Sequence, residues 1–413
     1  MRIAVQCSCG KVLQVDTRFA GTTRKCVFCG SAYKVPGMDD AALSGTILDG
    51  ELNDVVRTMQ HRSDTRPQWA NRYWWVMLAL LPLLIFTFNR EETNFEEKIH
   101  EAAQQMTESD KKTLKRYEDM AGEDGAGMSI DLARHMVRII PEHKLSGALV
   151  TYDSMAHWLL AFISAGAFLA LTITLFPSRT TQPANLAYVA LFTGTAGIML
   201  LLLVQYIAFS PFPHDRSGII ILLLMIFKLI GFSYMAALNP DCGFIVSLLG
   251  FTFGVGLCEE FCKIIPVFYH FRRKNDLDWR GACAWGLASG IGFGVSEGIS
   301  YSSEFYNGIL GGDIYLVRFI SCVALHAVWS ASAGISLWKK QDEIRGDKSI
   351  GEVFLNMVGI VIVPMLLHGL YDTLLKKDIP VGALITALLS VAWLAWTIED
   401  AKKLEVQMDL QPA

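Results

Sequence analysis

Three ionisable side chains, Glu259, Glu260 and Lys263, sit inside an apolar run that extends from residue 243 to residue 271. A charge at the centre of a bilayer costs about 2.5 to 3.5 kcal/mol on insertion scales, so such residues face a bundle interior, where they pair or do chemistry. On a helix Glu259 lies four residues before Lys263 and Glu260 three before it, so one ammonium can partner either carboxylate. Further along, Glu297 closes the stretch Gly290-Ile291-Gly292-Phe293-Gly294-Val295-Ser296-Glu297, whose glycines let neighbouring backbones approach the carboxylate. His326 lies in the next apolar run, and His368 and Asp372 share one helical face of another at a spacing of four. Carboxylates from two helices and histidines from two more supply what a hydrolytic site needs: a base for water, ligands or donors for an oxyanion, and partners that orient the imidazoles. Singly, each residue also fits a structural bond between helices, worth about 0.6 kcal/mol on average. Together, in consecutive segments, they point to one site.

Two mechanisms are open on these residues. In one, His326, His368 and a carboxylate such as Glu297 hold a zinc ion that acidifies a bound water, and a remaining glutamate is the general base. In the other, Glu259 or Glu260 deprotonates water directly while the histidines stabilise the oxyanion. No H-E-x-x-H signature forces the first. The number of carboxylates and histidines exceeds what the second requires and favours a metal. Buried Glu, His and Asp also build proton paths, so a proton-coupled transporter is the alternative from another class, and a catalytically inactive scaffold is a third. Lys228, Glu304 and Arg318 read as snorkelling or structural pairs.

The elements that position these residues follow from composition. Of 413 residues, 52% are apolar and 18% charged, against roughly 25% charged in soluble domains. The mean hydropathy is +0.35, and the expected fold is an all-α polytopic membrane helix bundle. A net charge of −4 gives no basic footprint, so nucleic acid is not favoured as a partner. The N-terminus has no apolar core of a cleavable signal peptide. Long apolar stretches cover residues 155 to 176, 186 to 209, 218 to 238, 243 to 271, 281 to 306, 314 to 338, 353 to 375 and 381 to 398. With a shorter one at 73 to 88, interrupted by Pro82, this predicts eight to nine membrane segments.

Set out in this order, the site residues resemble those of the PrsW-type intramembrane proteases. Glu259-Glu260-Phe261-Cys262-Lys263 matches the family's E-E-x-x-K, Phe293 to Glu297 its F-x-x-x-E, His326 the lone histidine of the next span, and His368-Gly369-Leu370-Tyr371-Asp372 its H-x-x-x-D. The resemblance covers residues 218 to 403. It implies proteolysis of membrane protein substrates, including anti-sigma factors in regulated signalling, at an integral inner-membrane protein. A broader similarity runs to the prenyl-protein (CAAX) endopeptidase and bacteriocin-immunity group, which carries His at the position of Glu297 and Asn at that of Asp372.

Ahead of the membrane part, Cys7, Cys9, Cys26 and Cys29 form two closely spaced pairs, each followed by glycine. Four thiolates at this spacing close a tetrahedral structural zinc site without an open position, and the segment resembles the zinc ribbons that head many bacterial proteins. Its expected role is structural or partner-binding. The predicted organisation is then a ribbon at 1–37, a linker at 38–72, the short apolar segment at 73–88, a soluble helical insert at 89–153 and a membrane protease domain at 154–403. Arg272, Arg273, Lys274 and Arg280, and Lys339, Lys340, Arg345 and Lys348, mark cytoplasmic loops. Counting back with every segment crossing puts the ribbon outside, where reduced thiolates do not persist. A re-entrant segment at 73–88, leaving both ribbon and insert cytoplasmic, is the expected resolution.

Overall fold

The computed structural model describes residues 2–16, 19, 21–36, 72–88, 95–123, 136–140, 144–151, 154–178, 180–210, 218–273, 276–305, 314–345 and 349–410. The expected linker lies almost wholly outside them. Contacts divide the chain into one unit of residues 1–71 with 399–413 and a second of residues 72–398.

The ribbon consists of two hairpins. Strands β1 (Arg2–Gln6) and β2 (Val12–Asp16) pair antiparallel, as do β3 (Thr23–Lys25) and β4 (Ala32–Lys34). Gly10 and Gly30 carry φ of 81° and 73°, the left-handed turns that close each cysteine pair. Its small core gathers Leu13, Val15 and Val35 beside Cys7 and Cys26.

All the described secondary-structure elements from residue 72 onward are helices. A helix broken at Leu80 gives α1 (Arg72–Ala79) and α2 (Leu81–Phe88). The insert contributes α3 (Phe95–Gln104) and α4 (Glu108–Glu123) over a core of its own that includes Ile99, Leu114, Met136 and Leu145. The bundle proper is α5 (Ala156–Leu175), α6 (Pro183–Phe209), α7 (Gly218–Leu238), α8 (Phe244–Arg272), α9 (Trp279–Phe305), α10 (Ile314–Lys339), the short α11 (Gln341–Arg345), α12 (Ile350–Lys376) and α13 (Pro380–Leu410). Among the described residues six helices are long and apolar enough to cross a membrane: α5, α6, α8, α10, α12 and α13. An all-α polytopic bundle is what forms.

Helices α9 and α10 make the central seam. Added Cβ atoms at Gly290 and Gly292 would stand 2.2 Å from the His326 carbonyl oxygen and 1.9 Å from that of Ala190. Only glycine lets the three backbones of α6, α9 and α10 meet so closely. Three helices also contain a π-helical stretch, at Thr193–Gly197 in α6, Phe251–Gly256 in α8 and Val317–Cys322 in α10. Such widened turns concentrate at functional sites, and two of these directly precede Glu259 and His326.

Contacts fix the direction of each helix. Helix α8 runs towards the end of the bundle that carries Arg272, Arg273 and Arg280, α9 returns from it, and α10 runs back to it at Lys339. Helix α5 lies parallel to α10, with His157 Nδ1 3.3 Å from Tyr315 Oη and Ser164 donating to the Phe319 carbonyl. It ends beside the start of α9, where Ser178 Oγ donates to Asp278 Oδ1 at 2.7 Å. Helix α6 then runs alongside α9, with Thr193 Oγ1 donating to the Ser289 carbonyl at 2.9 Å and Ser296 to that of Gly194. Helix α7 is antiparallel to α8, with Gly250 against Ala237 and Gly254 against Ser233 and Tyr234. Where α6 and α7 themselves meet, Gly231 packs on Ala208 and Lys228 reaches on to Ser210, so the two helices pass each other in opposite sense there. Lys228, midway along α7, donates to the carbonyls of Ala208 (3.0 Å) and Ser210. Its role is to cap the end of α6, whose last carbonyls lack intrahelical partners.

The short apolar segment also departs from expectation. Leu80 N bonds Val76 O and Leu84 N bonds Leu80 O, both at 3.2 Å, so the helix kinks at its break without turning back. Pro82 explains the kink by ring clash and a missing N–H. The gap is bridged from outside: Ser321 Oγ donates to Ala79 O at 2.9 Å and accepts from Leu83 N at 3.2 Å. Trp75 and Val76 lie with Leu175 and Phe176 near the basic end, while Leu83 and Phe86 pack in one cluster with Tyr315 near the other. The segment therefore runs lengthwise through about 25 Å at 1.5 Å per residue and is not re-entrant. The insert that follows leads back into α5 at the end opposite the basic loops, where Thr151 O meets His157 Nε2 at 3.0 Å.

Candidate active site

The π-helical stretch of α8 delivers Glu259, Glu260 and Lys263 to the bundle interior, and all three are buried. Lys263 is the hub. Its Nζ lies 2.8 Å from Glu260 Oε1, 3.2 Å from Glu259 Oε2 and 2.7 Å from His326 Nδ1, above the ring of Phe293 at 4.5 Å. Ser289 of α9 donates to the Lys263 carbonyl, tying the two helices behind it. His326 uses its other nitrogen on Glu297, with Nε2 2.6 Å from Oε2. Arg318, from the π-helical stretch of α10, faces the second oxygen of Glu297 at 3.4 Å.

On the other side of Lys263, His368 Nδ1 is 3.1 Å from Glu260 Oε1, and its Nε2 is 3.3 Å from Asp372 Oδ2 and 3.7 Å from Glu259 Oε2. Trp329 stacks on His368 at 4.4 Å and 19° and anchors its own Nε1 on Ser390 Oγ of α13 at 2.9 Å. The structure thus brings Glu259, Glu260, Lys263, Glu297, His326, His368 and Asp372 into one connected network. Side-chain exposure falls from 25% at Arg318, 24% at Asp372 and 17% at Glu297 to 8% at Glu259 and 0% at Glu260 and Lys263. Its most exposed members, Glu297, Arg318 and Asp372, form a rim towards the end opposite the basic loops.

One set of ligating atoms, from Glu259, His326 and His368, falls within 4.8 Å of one another. The sequence had suggested Glu297 as the carboxylate of that set. Glu297 instead stands behind His326, bonded to its Nε2, where it orients the ring. Two imidazoles and a carboxylate are the donor set of a hydrolytic zinc site, whose ligand atoms lie roughly 3.4 Å apart for bonds of about 2.0 to 2.1 Å. Closing by little more than 1 Å would meet that spacing. Charge agrees: four carboxylates (Glu259, Glu260, Glu297, Asp372) meet two fixed cations (Lys263, Arg318), leaving two negative charges that a divalent ion or two imidazolium protons would balance. Glu260 Oε2 is buried without a hydrogen-bond partner among the described residues, and a buried acceptor of that kind calls for a water or an ion. The residues present fit a divalent metal.

Sequence reasoning set Arg318 aside and did not consider Trp329, Ser289 or Ser390. An arginine near the start of an apolar run looks like a snorkelling residue, and the others look like core. The π-helical stretches leave no periodic signal at all.

A second cluster lies in the ribbon. The sulfurs of Cys7, Cys9, Cys26 and Cys29 gather within 4.8 Å, with Cys7 to Cys29 at 3.5 Å and Cys9 to Cys26 at 3.8 Å. Sulfurs tetrahedrally placed about 2.3 Å from zinc stand roughly 3.8 Å apart. Hydrogen bonds from the Ser31 side chain and backbone hold the Cys29 thiol down to about 6, which favours the thiolate a metal needs.

Fold and site together define a polytopic helical membrane protein with a buried hydrolase-type centre. Residues 217–398 match the family model described as PrsW family intramembrane metalloprotease. That stretch is a PrsW-family domain, and the protein is a PrsW-like intramembrane peptidase. No curated protein and no solved structure matches the chain.

Proposed function

We propose that this peptidase hydrolyses peptide bonds of single-span membrane proteins at the Lys263-centred network, in regulated signalling of the kind exemplified by anti-sigma factor cleavage. The observation that carries the reading is the unpartnered, buried Glu260 Oε2 set beside the Glu259, His326 and His368 ligand set. Glu259, His326 and His368 would hold a zinc or similar ion, which when bound supplies a Lewis acid and a water ionised near neutral pH. Glu260 takes the proton of the attacking water at Oε2 and returns it to the leaving amine. Lys263 and His368 fix Glu260 through its other oxygen, so Oε2 alone is free for this exchange. Glu297 and Asp372 orient His326 and His368.

A metal-free glutamate mechanism has one observation in its favour. Both ring nitrogens of His326 and of His368 already have protein partners, at 2.7 and 2.6 Å and at 3.1 and 3.3 Å. The deciding experiment is cleavage of single-span test proteins by the wild type, Glu259→Ala and Glu260→Gln, with chelator and with metal restored. Loss of activity on chelation and recovery with zinc supports the metal mechanism; full activity after chelation removes it, and cleavage retained by both variants ends the hydrolase reading.

The basic loops argue for a cytoplasmic face at the C-terminal ends of α8 and α10 in an inner membrane. The insert and the rim of the site then lie on the extracytoplasmic side; the ribbon is assigned to the cytoplasm, where reduced thiolates persist. Four thiolates there bind one structural zinc. The exposed Val27 and Phe28 at the tip of its second hairpin support a role in docking a protein partner.

A further inference from the structure

We propose that Arg318 is a positioning residue of the site, acting through Glu297 to hold the ring of His326 in one orientation and one tautomer. An ammonium only donates hydrogen bonds, so His326 Nδ1, 2.7 Å from Lys263 Nζ, accepts. A neutral imidazole that accepts at Nδ1 carries its proton on Nε2, and here that N–H donates to Glu297 Oε2 at 2.6 Å. The arrangement works only while Glu297 is a carboxylate turned towards His326. Arg318 supplies the reason that it is: Nη1 lies 3.4 Å from the remaining oxygen, Oε1. The guanidinium itself rests over the ring of Tyr301, with its carbon 4.2 Å from the ring centre. Arginine suits this place because its charge is permanent and its plane can stack on an aromatic face while facing a carboxylate.

Sequence position alone does not aim Arg318 at the site. It lies eight residues before His326 in the same helix, and it belongs to the π-helical stretch Val317–Cys322 that locally widens the helix. Without the guanidinium, no other cation among the described residues is seen to hold Glu297 against His326, and the ring is free to turn or to move its proton to Nδ1. Either change breaks the contact with Lys263 and presents the wrong atom to the site. The catalytic consequence rests on the hydrolase reading above, whereas the control of the His326 ring does not.

The experiment is nitrogen NMR of the full chain in lipid nanodiscs, labelled at the histidine ring nitrogens, with the His326 signals assigned by their loss in His326→Gln. The wild type is expected to show a single Nε2-protonated tautomer at His326, Arg318→Lys to keep it, and Arg318→Gln to give a mixture of tautomers. If Arg318→Gln does not fold, Tyr301→Leu, which removes the ring beneath the guanidinium, is expected to perturb the same signals. On a single-span test protein that the wild type cleaves, Arg318→Gln should lower kcat by about 10- to 100-fold with little change in KM, the range seen when a partner of a metal ligand is removed. The Arg318→Gln, Glu297→Gln double variant should be no slower than Glu297→Gln alone, since the two act as one unit. Identical His326 signals in the wild type and in Arg318→Gln (or, if that does not fold, Tyr301→Leu), or additive losses in the double variant, overturn the proposal. A wild type that cleaves no test protein counts against the hydrolase reading, and the NMR comparison still decides the role of Arg318.

Discussion

Lys263 shows how much of this site depends on one atom. Its Nζ touches Glu259, Glu260 and His326 with no exposure to solvent. Removing one partner from such a buried set leaves uncompensated charge, at a cost of about 3 to 5 kcal/mol. Lys263→Met is therefore expected to lower the thermal unfolding temperature of the purified protein markedly, besides abolishing cleavage. Glu260→Gln keeps the shape and most of the hydrogen bonding, and should lose about 100- to 10,000-fold in kcat with nearly unchanged stability, the range for a lost general base. Thermal unfolding and a cleavage assay on the same preparations distinguish the two outcomes. The seven residues of the network were legible in the sequence because each is a charged or imidazole group in an apolar run, where its cost demands a partner. What spacing along single helices does not contain is which oxygen faces which nitrogen. That is why Glu297 was read as a ligand when it stands one step behind, at Nε2 of His326.

Between helices, the fit depends on glycine and on hydroxyls that satisfy backbone groups. A Cβ at residue 292 would fall 1.9 Å from Ala190 O, so Gly292→Leu should force α6 and α9 apart and lose both stability and activity, read by unfolding temperature and cleavage. Ser321 serves Ala79 O and Leu83 N at once. Ser321→Ala leaves both unsatisfied in an apolar setting, costing about 1 to 3 kcal/mol per buried group, and should speed amide exchange at Leu83. The helices themselves were readable from hydropathy, and the glycine seam from the run at 290–294. The kinked course of α1 and α2 was not, because its stabilising partner lies 238 residues further along the chain.

For the whole molecule, the course of residues 72–88 bears on which side of the membrane the insert lies. That count took every apolar run for a crossing and placed the exception at 73–88. In the structure residues 72–88 instead form one kinked helix that continues past its break. The expected outcome is a periplasmic-type reporter that is active when fused at Gly125 in the insert and inactive when fused at the N-terminus, measured in intact cells. The reverse pattern would contradict the helix directions described above. That Cys7, Cys9, Cys26 and Cys29 gather was legible because two close cysteine pairs, each followed by glycine, leave few alternatives. Metal analysis of the full chain should lose one zinc per molecule in the Cys26→Ser, Cys29→Ser double variant, and unchanged stoichiometry would remove the ribbon's metal.

The bridge from Ser321 to the first membrane helix has a consequence for how the chain is made. Synthesis proceeds at about 5 to 20 residues per second, so the 238 residues between Leu83 and Ser321 take roughly 12 to 48 s to add at that pace. Throughout that interval the Ala79 carbonyl and the Leu83 amide, parted at Pro82, need another partner such as water, because the hydroxyl that closes the gap has not yet been translated.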